Sequence, residues 1–167
     1  MSDDIRFERL VAAGPERVFT LFTSPGGQRE FYGRDEPGWI VESRCDLRVG
    51  GVWSITFGPS PDELYHHRHI FEVIERPRRL RLASTETRAD GFGFGFTTEF
   101  TFEPRGNRTL MTMTQTGFPN ELLRQEHTIG VPHAYDRIER LLQPESPPSS
   151  PARASALPFR DREMETP

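Results

Sequence analysis

The chain has 167 residues, of which 34% are hydrophobic, and its formal net charge is -4 at pH 7. This length predicts one domain with a hydrophobic core rather than two domains. The sequence contains no run of about 18 apolar residues that could cross a membrane. All 21 cationic side chains are arginine, which excludes lysine-based Schiff-base chemistry.

The first predicted elements are one strand and two short helices. Alternating apolar residues indicate a strand at 5–11. Pro15 then marks the start of a helix that carries Phe19 and Phe22 on one side. A second short helix is predicted over 28–32.

Six antiparallel strands are predicted after these helices. They cover 39–46, 52–57, 65–75, 80–87, 91–103 and 109–116. Between the first two of them, Gly50 and Gly51 are expected to supply the positive φ angles of a tight turn.

One of these strands is rich in phenylalanine at every second position. The even positions, with Thr98 completing the series, carry Phe92, Phe94, Phe96, Phe100 and Phe102. Because strand side chains alternate between faces, these rings form one apolar wall while the residues between them can face water. The pattern predicts an antiparallel sheet that is solvated on one face. The wall must be covered by a helix or by a bound apolar molecule.

A long C-terminal helix is predicted over 120–142, because apolar residues recur there at intervals of three and four. Pro132 lies inside this helix and predicts a kink or an interruption near Thr128. The rings expected to face this helix are Phe94, Phe96, Phe100 and Phe102.

The predicted elements together indicate an α+β fold. A curved antiparallel sheet of about six to seven strands grips the C-terminal helix, and two short helices follow the first strand. This domain covers 1–143. The Pro- and Ser-rich segment 144–167 cannot bury enough apolar area to offset its ordering entropy, so it is predicted to be disordered.

The N-terminal residues and the single cysteine indicate the compartment. The first ten residues carry charged side chains instead of the apolar core of a signal peptide. Cys45 has no second cysteine with which to form a disulfide. Both features predict a cytoplasmic protein, and Cys45 is expected to be a packed thiol rather than a reactive one.

Three segments resemble signatures of one family. Residues 42–53 resemble the strand-turn-strand signature of the family named after the activator of Hsp90 ATPase, a branch of the START-like, or helix-grip, superfamily. Residues 115–138 resemble its second signature, and residues 13–19 resemble its opening strand-to-helix passage. The resemblance covers about 5–142 and implies a sheet curled around the last helix, with an elongated cavity between them.

Four positions depart from the pattern of that family. Val131 stands where members usually carry Trp, and Phe31 and Tyr32 stand where they carry a Trp pair. His69 replaces a Gly. The smaller aromatic and aliphatic side chains predict a larger cavity or a rearranged wall.

The candidate ligand-binding residues are those that these patterns place on the cavity. Gln115 shares a predicted strand face with two methionines, and His127 lies on the inward stripe of the last helix. The two polar groups could therefore meet and orient a ligand. The full set is Phe31, Tyr32, Trp53, Phe57, Phe94, Phe96, Phe100, Met111, Met113, Gln115, His127 and Val131.

Other polar groups are assigned surface or structural roles. His67 and His69 share a strand face, but two imidazoles do not complete a metal site. Glu72 is expected on the solvated outer face. One predicted hairpin is rich in arginine, but an acidic chain disfavours nucleic-acid binding. We therefore expect its arginines to form local ion pairs with Glu72, Glu75 and Glu86. Its arginines are Arg68, Arg76, Arg78, Arg79, Arg81 and Arg88.

Three classes of function are compatible with these patterns. The favoured one is a module that binds an apolar or aromatic small molecule in its cavity, without a cofactor or a metal. A protein-interaction role is the second, because the resemblance implies it from relatives that stimulate a chaperone ATPase. An enzyme acting on the same ligand is the third, with Gln115, His127 or Glu72 as acid, base or orienting group. No catalytic residue is assigned.

Overall fold

The computed structural model describes residues 4–144. The segment predicted to be disordered lies outside the described residues from position 145 onward. The helices are α1 (Pro15–Thr23), α2 (Pro25–Tyr32) and α3 (Glu121–Leu141). The strands are β1 (Ile5–Val11), β2 (Ile40–Cys45), β3 (Val52–Gly58), β4 (Tyr65–Glu75), β5 (Arg79–Arg88), β6 (Gly93–Arg105) and β7 (Arg108–Thr116).

All seven strands form one antiparallel sheet in the order β1-β7-β6-β5-β4-β3-β2. The sheet curls around α3, which crosses its concave face. Near its C-terminal end the helix places Tyr135 against Phe7 of β1, with ring centroids 4.6 Å apart. Near its N-terminal end Leu123 forms a buried cluster with Phe94 and Phe96 of β6. The predicted α+β helix-grip fold is confirmed.

The phenylalanine face of β6 has the predicted alternation. Phe94, Phe96, Thr98, Phe100 and Phe102 are all buried, and the residues at the odd positions between them are more exposed. Phe92 is the exception, because 46% of its surface is exposed and it precedes the strand. Its backbone N–H donates to the Asp90 carboxylate at 2.9 Å, which places Phe92 in the hairpin turn rather than in the wall.

Two different helices cover the two ends of this face. Phe96 stacks on Phe118, just before α3, with ring centroids 5.2 Å apart. Phe100 and Phe102 instead pack against Phe22 of α1, at 4.9 and 5.3 Å. The prediction that all four rings face α3 is therefore incomplete, because α1 covers the C-terminal end of this face. Phe100 packs on α1 and also belongs to the core cluster that contains Ile138 of α3.

Two backbone predictions need correction. In the turn between β2 and β3 only Gly50 has a positive φ, of 81°. Gly51 is needed for close approach, since a Cβ there would lie 2.1 Å from the Asp46 carbonyl oxygen. Pro132 does not interrupt α3, which runs unbroken from Glu121 to Leu141. Pro132 has no backbone N–H to donate to the carbonyl of Thr128. Thr128 is exposed to solvent, so water can bond that carbonyl instead.

The arginine-rich hairpin forms the expected local ion pairs. Arg81 contacts Glu72 at 3.0 Å on the outer face of the sheet, and Arg79 contacts Glu75 at 3.3 Å. Arg88 contacts Glu86 at 3.0 Å, but this carboxylate is buried on the inner face. The first two pairs are exposed and each contributes at most about 1 kcal/mol.

No helix within residues 4–144 is long and apolar enough to cross a membrane. Cys45 is half-buried and packs against the main hydrophobic core. Burial raises the pKa of its thiol, which disfavours the reactive thiolate.

Candidate functional site

A recess of about 820 Å³ lies between α3 and the concave face of the sheet. Its lining also includes Phe22 of α1 and residues from α2, from the segment after α2, from β3 to β7 and from the connection between β3 and β4. This volume falls in the range of about 300 to 1,000 Å³ that small-molecule sites occupy.

Most of the residues predicted for the site line this recess. They are Phe31, Tyr32, Trp53, Phe57, Phe100, Met113, Gln115, His127 and Val131. Three others lie outside it. Phe94 and Phe96 belong to the buried cluster with Leu123, and Met111 is part of the main core. All three share the inward face with the lining residues, but neighbouring side chains cover them.

Val131 lies on the side of α3 that meets the recess. It is half-buried, lines the recess and packs against the main core. On the opposite side, Tyr32 packs against Phe57 at 5.0 Å and against the edge of Trp53 at 6.2 Å. Together these rings make one wall of the recess aromatic.

Gln115 and His127 meet within the lining, as predicted. Their contact joins Gln115 Oε1 to His127 Nδ1 at 3.2 Å. The other nitrogen of the ring, Nε2, lies 2.9 Å from Glu86 Oε2. His127 therefore connects β7 to β5 through its two ring nitrogens.

Glu86 is the centre of a buried polar cluster. Its Oε2 atom accepts from His67 Nε2 and from His127 Nε2, each at 2.9 Å. The two imidazole rings are stacked with their centroids 6.1 Å apart. Arg88 Nε donates to the other carboxylate oxygen at 3.0 Å. Because an ionised carboxylate only accepts hydrogen bonds, each Nε2 atom carries a hydrogen.

The protonation states in this cluster follow from burial and hydrogen bonding. Burial alone would raise the pKa of the Glu86 carboxyl, but the hydrogen bonds from His127 and His67 outweigh it and hold that pKa well below its usual range. Burial lowers the pKa of His67 and, more strongly, that of His69. At neutral pH, Glu86 is therefore ionised while His67 and His69 are uncharged.

A hydrogen-bonded chain links this cluster to His69. Gln115 Nε2 donates to Thr98 Oγ1 at 3.4 Å, and Thr98 Oγ1 lies 3.0 Å from Ser84 Oγ. Ser84 Oγ lies 2.8 Å from His69 Nδ1. The chain crosses from β7 through β6 and β5 to β4, so the polar groups under the recess form one connected network.

A charged rim surrounds the opening of the recess. Arg137 of α3 donates to the carbonyl oxygen of Glu30 at 2.7 Å and contacts the Asp35 carboxylate at 3.3 Å. Arg88 contacts Glu126 of α3. These contacts fix α3 to the segment after α2 on one side and to β5 on the other.

Within residues 4–144, no group of three or more His, Cys, Asp or Glu side chains is arranged to hold a metal ion. His67 and His69 do share a face of β4, with ring centroids 5.7 Å apart. His67 is bonded to Glu86 and His69 to Ser84, so each ring already uses one nitrogen for a protein contact.

The sequence patterns did not identify Glu86, His67 and His69 as residues of the site. A signal was present in β5, whose alternate residues Leu80, Leu82, Ser84 and Glu86 are all buried. The period-two pattern begins with two leucines and so places Glu86 on the inner face. Its basic neighbours in the hairpin instead suggested a surface ion pair.

The chain has close structural relatives among solved proteins. A protein from Mycobacterium smegmatis is 19% identical, with a TM-score of 0.71, and the match covers 84% of this chain and 91% of the other. A protein from Chromobacterium violaceum is 21% identical, with a TM-score of 0.73 and coverage of 86% and 99%. An AHSA1-like protein from Aeromonas hydrophila is 19% identical, with a TM-score of 0.64 and coverage of 82% and 90%. At these identities the similarity shows the fold alone.

No curated protein matches the chain. The family model for activator of Hsp90 ATPase homolog 1-like proteins matches residues 12–143, which span α1 to α3 and nearly the whole sheet. The chain therefore belongs to the activator of Hsp90 ATPase homolog 1-like family, with the START-like helix-grip fold.

Proposed function

We propose that this protein binds a small, mainly aromatic molecule in the recess between α3 and the sheet. The observation that carries the proposal is the composition of the lining. Aromatic rings such as Tyr32, Trp53 and Phe57 line the same recess as the buried polar cluster of Glu86 and His127. Apolar walls with a few fixed polar groups are the usual features of a ligand site.

The two kinds of lining have separate roles in binding. The aromatic wall gains free energy by removing apolar ligand surface from water, at about 25 cal/mol per Å². The polar cluster fixes orientation, because its groups are held by hydrogen bonds and cannot move without breaking them. A ligand with an aromatic body and a small polar part matches both.

A fluorescent apolar probe tests the proposal. N-phenyl-1-naphthylamine brightens when it leaves water, and we expect saturable binding with a stoichiometry of one. Val131→Trp places an indole at the recess lining and should weaken probe binding at least tenfold, which corresponds to about 1.4 kcal/mol.

Val49→Trp is the matched control, because Val49 is 64% exposed and is not among the lining residues. Its probe affinity should equal that of the wild type. Unaltered probe binding in Val131→Trp, with the denaturant midpoint unchanged, would place the ligand elsewhere and refute the proposal. Mass spectrometry of the protein purified from its native cells would then identify the natural ligand.

A further inference from the structure

Three buried polar atoms have no hydrogen-bond partner within the described part of the protein. They are Trp53 Nε1, His69 Nε2 and Tyr135 Oη. All three residues line the same recess. An unpaired buried polar group costs about 1 to 3 kcal/mol, so such groups are rare and each requires an explanation. All three groups therefore lack a partner that residues 4–144 supply.

Two of these groups lie side by side on the sheet. Trp53 of β3 and His69 of β4 are paired in register, and their ring centroids are 4.6 Å apart. Tyr135 belongs to α3 and reaches the recess from the helix side. Exposed fractions of 1%, 3% and 3% for Trp53, His69 and Tyr135 show that none of the three is a surface group.

Trp53 and His69 both present hydrogen-bond donors. The indole Nε1–H of Trp53 can only donate. For His69, we assign the tautomer from its hydrogen-bonded chain. Gln115 Nε2 donates to Thr98, and the arrangement that uses every hydroxyl hydrogen has Thr98 donating to Ser84 and Ser84 donating to His69 Nδ1. A neutral His69 then carries its hydrogen on Nε2.

We propose that the recess recognises the oxygen of an uncharged carbonyl group on an aromatic framework, through donation from Trp53 Nε1 and His69 Nε2, with Tyr135 Oη as a further polar contact. This inference rests on the proposed function and specifies its ligand class. Two donors on paired positions of neighbouring strands suit a carbonyl oxygen, which has two lone pairs.

The charges in the recess favour a neutral ligand over an anion. Burial lowers the pKa of His69 and raises the pKa of the Tyr135 hydroxyl, so neither group carries a charge at pH 7. Glu86 adds a buried negative charge, and it already accepts from two imidazoles and Arg88. A carboxylate ligand would be repelled by Glu86, and Trp53, His69 and Tyr135 offer it no positive charge.

The test compares two probes that share one framework. Fluorene and 9-fluorenone have the same three fused rings, and only the second carries a carbonyl group. The carbonyl makes fluorenone the more polar molecule, so hydrophobic burial alone favours fluorene. We expect equilibrium dialysis to show that the wild-type protein binds fluorenone at least tenfold more tightly than fluorene.

Variants locate the contact through the ratio of the two affinities. Trp53→Phe keeps an aromatic ring but removes the N–H, and it should reduce the fluorenone-to-fluorene ratio at least threefold, as should His69→Phe. Trp39→Phe is the matched control, because Trp39 also lines the recess but its N–H already donates to the Tyr32 carbonyl at 3.0 Å. Its ratio should equal that of the wild type.

Each outcome has one meaning. Equal wild-type affinity for fluorene and fluorenone would overturn carbonyl recognition and leave the proposed function standing. Binding of neither probe would overturn both. An unchanged ratio in folded Trp53→Phe and His69→Phe would overturn the assignment to these donors. Should either variant fail to fold, the wild-type ratio and the Tyr135→Phe variant still test carbonyl recognition. Loss of the Tyr135 hydroxyl should lower the fluorenone-to-fluorene affinity ratio, while fluorene should still bind.

Discussion

His127 Nε2 lies 2.9 Å from Glu86 Oε2 and joins α3 to β5 across 41 residues of sequence. The same carboxylate oxygen accepts from His67 of β4 at 2.9 Å. One buried carboxylate therefore connects two strands of the sheet to the helix that the sheet grips. Its loss would affect both the position of α3 and the lining of the recess.

Replacement of Glu86 should strongly destabilise the protein. Glu86→Ala leaves the Nε2–H groups of His67 and His127 without their acceptor, and we expect the free energy of unfolding to fall by about 3 kcal/mol or more. Glu72→Ala is the control, because Glu72 is exposed and pairs with Arg81 on the outer face, and it should cost less than about 1 kcal/mol. Denaturant titrations measure both. Equal losses in the two variants would contradict the central role of Glu86.

Stability should fall as the pH drops below about 6.5. Burial depresses the folded-state pKa of His67 and His69, so the unfolded chain binds protons that the folded protein does not. Their stabilising contribution is present above the ordinary histidine pKa and is lost towards lower pH, with a slope of up to about 1.4 kcal/mol per pH unit for each group. Glu86, whose folded-state pKa is also lowered, adds a further loss at more acidic pH.

Single histidine variants assign this pH dependence. His67→Gln keeps a donor for Glu86 but cannot titrate, so the slope between pH 6.5 and pH 5 should decrease by up to the contribution of one proton, about 1.4 kcal/mol per pH unit. Urea denaturation at several pH values measures the slopes. Identical slopes in wild type and His67→Gln would show that the pKa of His67 is not lowered in the folded state.

Phe96 within β6 and Phe92 in the turn before it should contribute unequally to stability. Phe96→Ala removes a ring that is 6% exposed and stacks on Phe118, and it should cost about 3 to 5 kcal/mol of stability. Phe92→Ala removes a ring that is 46% exposed and should cost less than about 0.5 kcal/mol. Thermal or chemical denaturation separates the two. A large loss of stability in Phe92→Ala would mean that Phe92 packs within the apolar wall.

Removal of the Tyr135 hydroxyl should not destabilise the ligand-free protein. Tyr135→Phe deletes a buried polar atom that has no partner within residues 4–144, so we expect the free energy of unfolding to rise by about 1 kcal/mol. Tyr65→Phe removes the hydroxyl of an exposed tyrosine and should change the free energy of unfolding by less than about 0.5 kcal/mol. A marked loss of stability in Tyr135→Phe would mean that the hydroxyl is hydrogen-bonded in solution.

Local periodicity was sufficient to predict the elements and the faces of most strands. The alternation around Phe94 and Phe96 and the three-to-four spacing around Ile138 are properties of neighbouring residues, and both side chains are buried as expected. The resemblance in 42–53 and 115–138 added the way in which the sheet and α3 combine. Gln115 and His127 were placed on facing elements, and they do meet.

The sequence by itself therefore determined which residues point inward and which fold results, because side-chain direction repeats with the backbone period. Only the tertiary structure decided which inward residues meet. Phe100 lines the recess beside α3 and also packs on α1, and Glu86 bonds His127 rather than only its neighbours in the hairpin. Such partners depend on how a helix lies across strands that are distant in sequence, and no local pattern encodes that distance or angle.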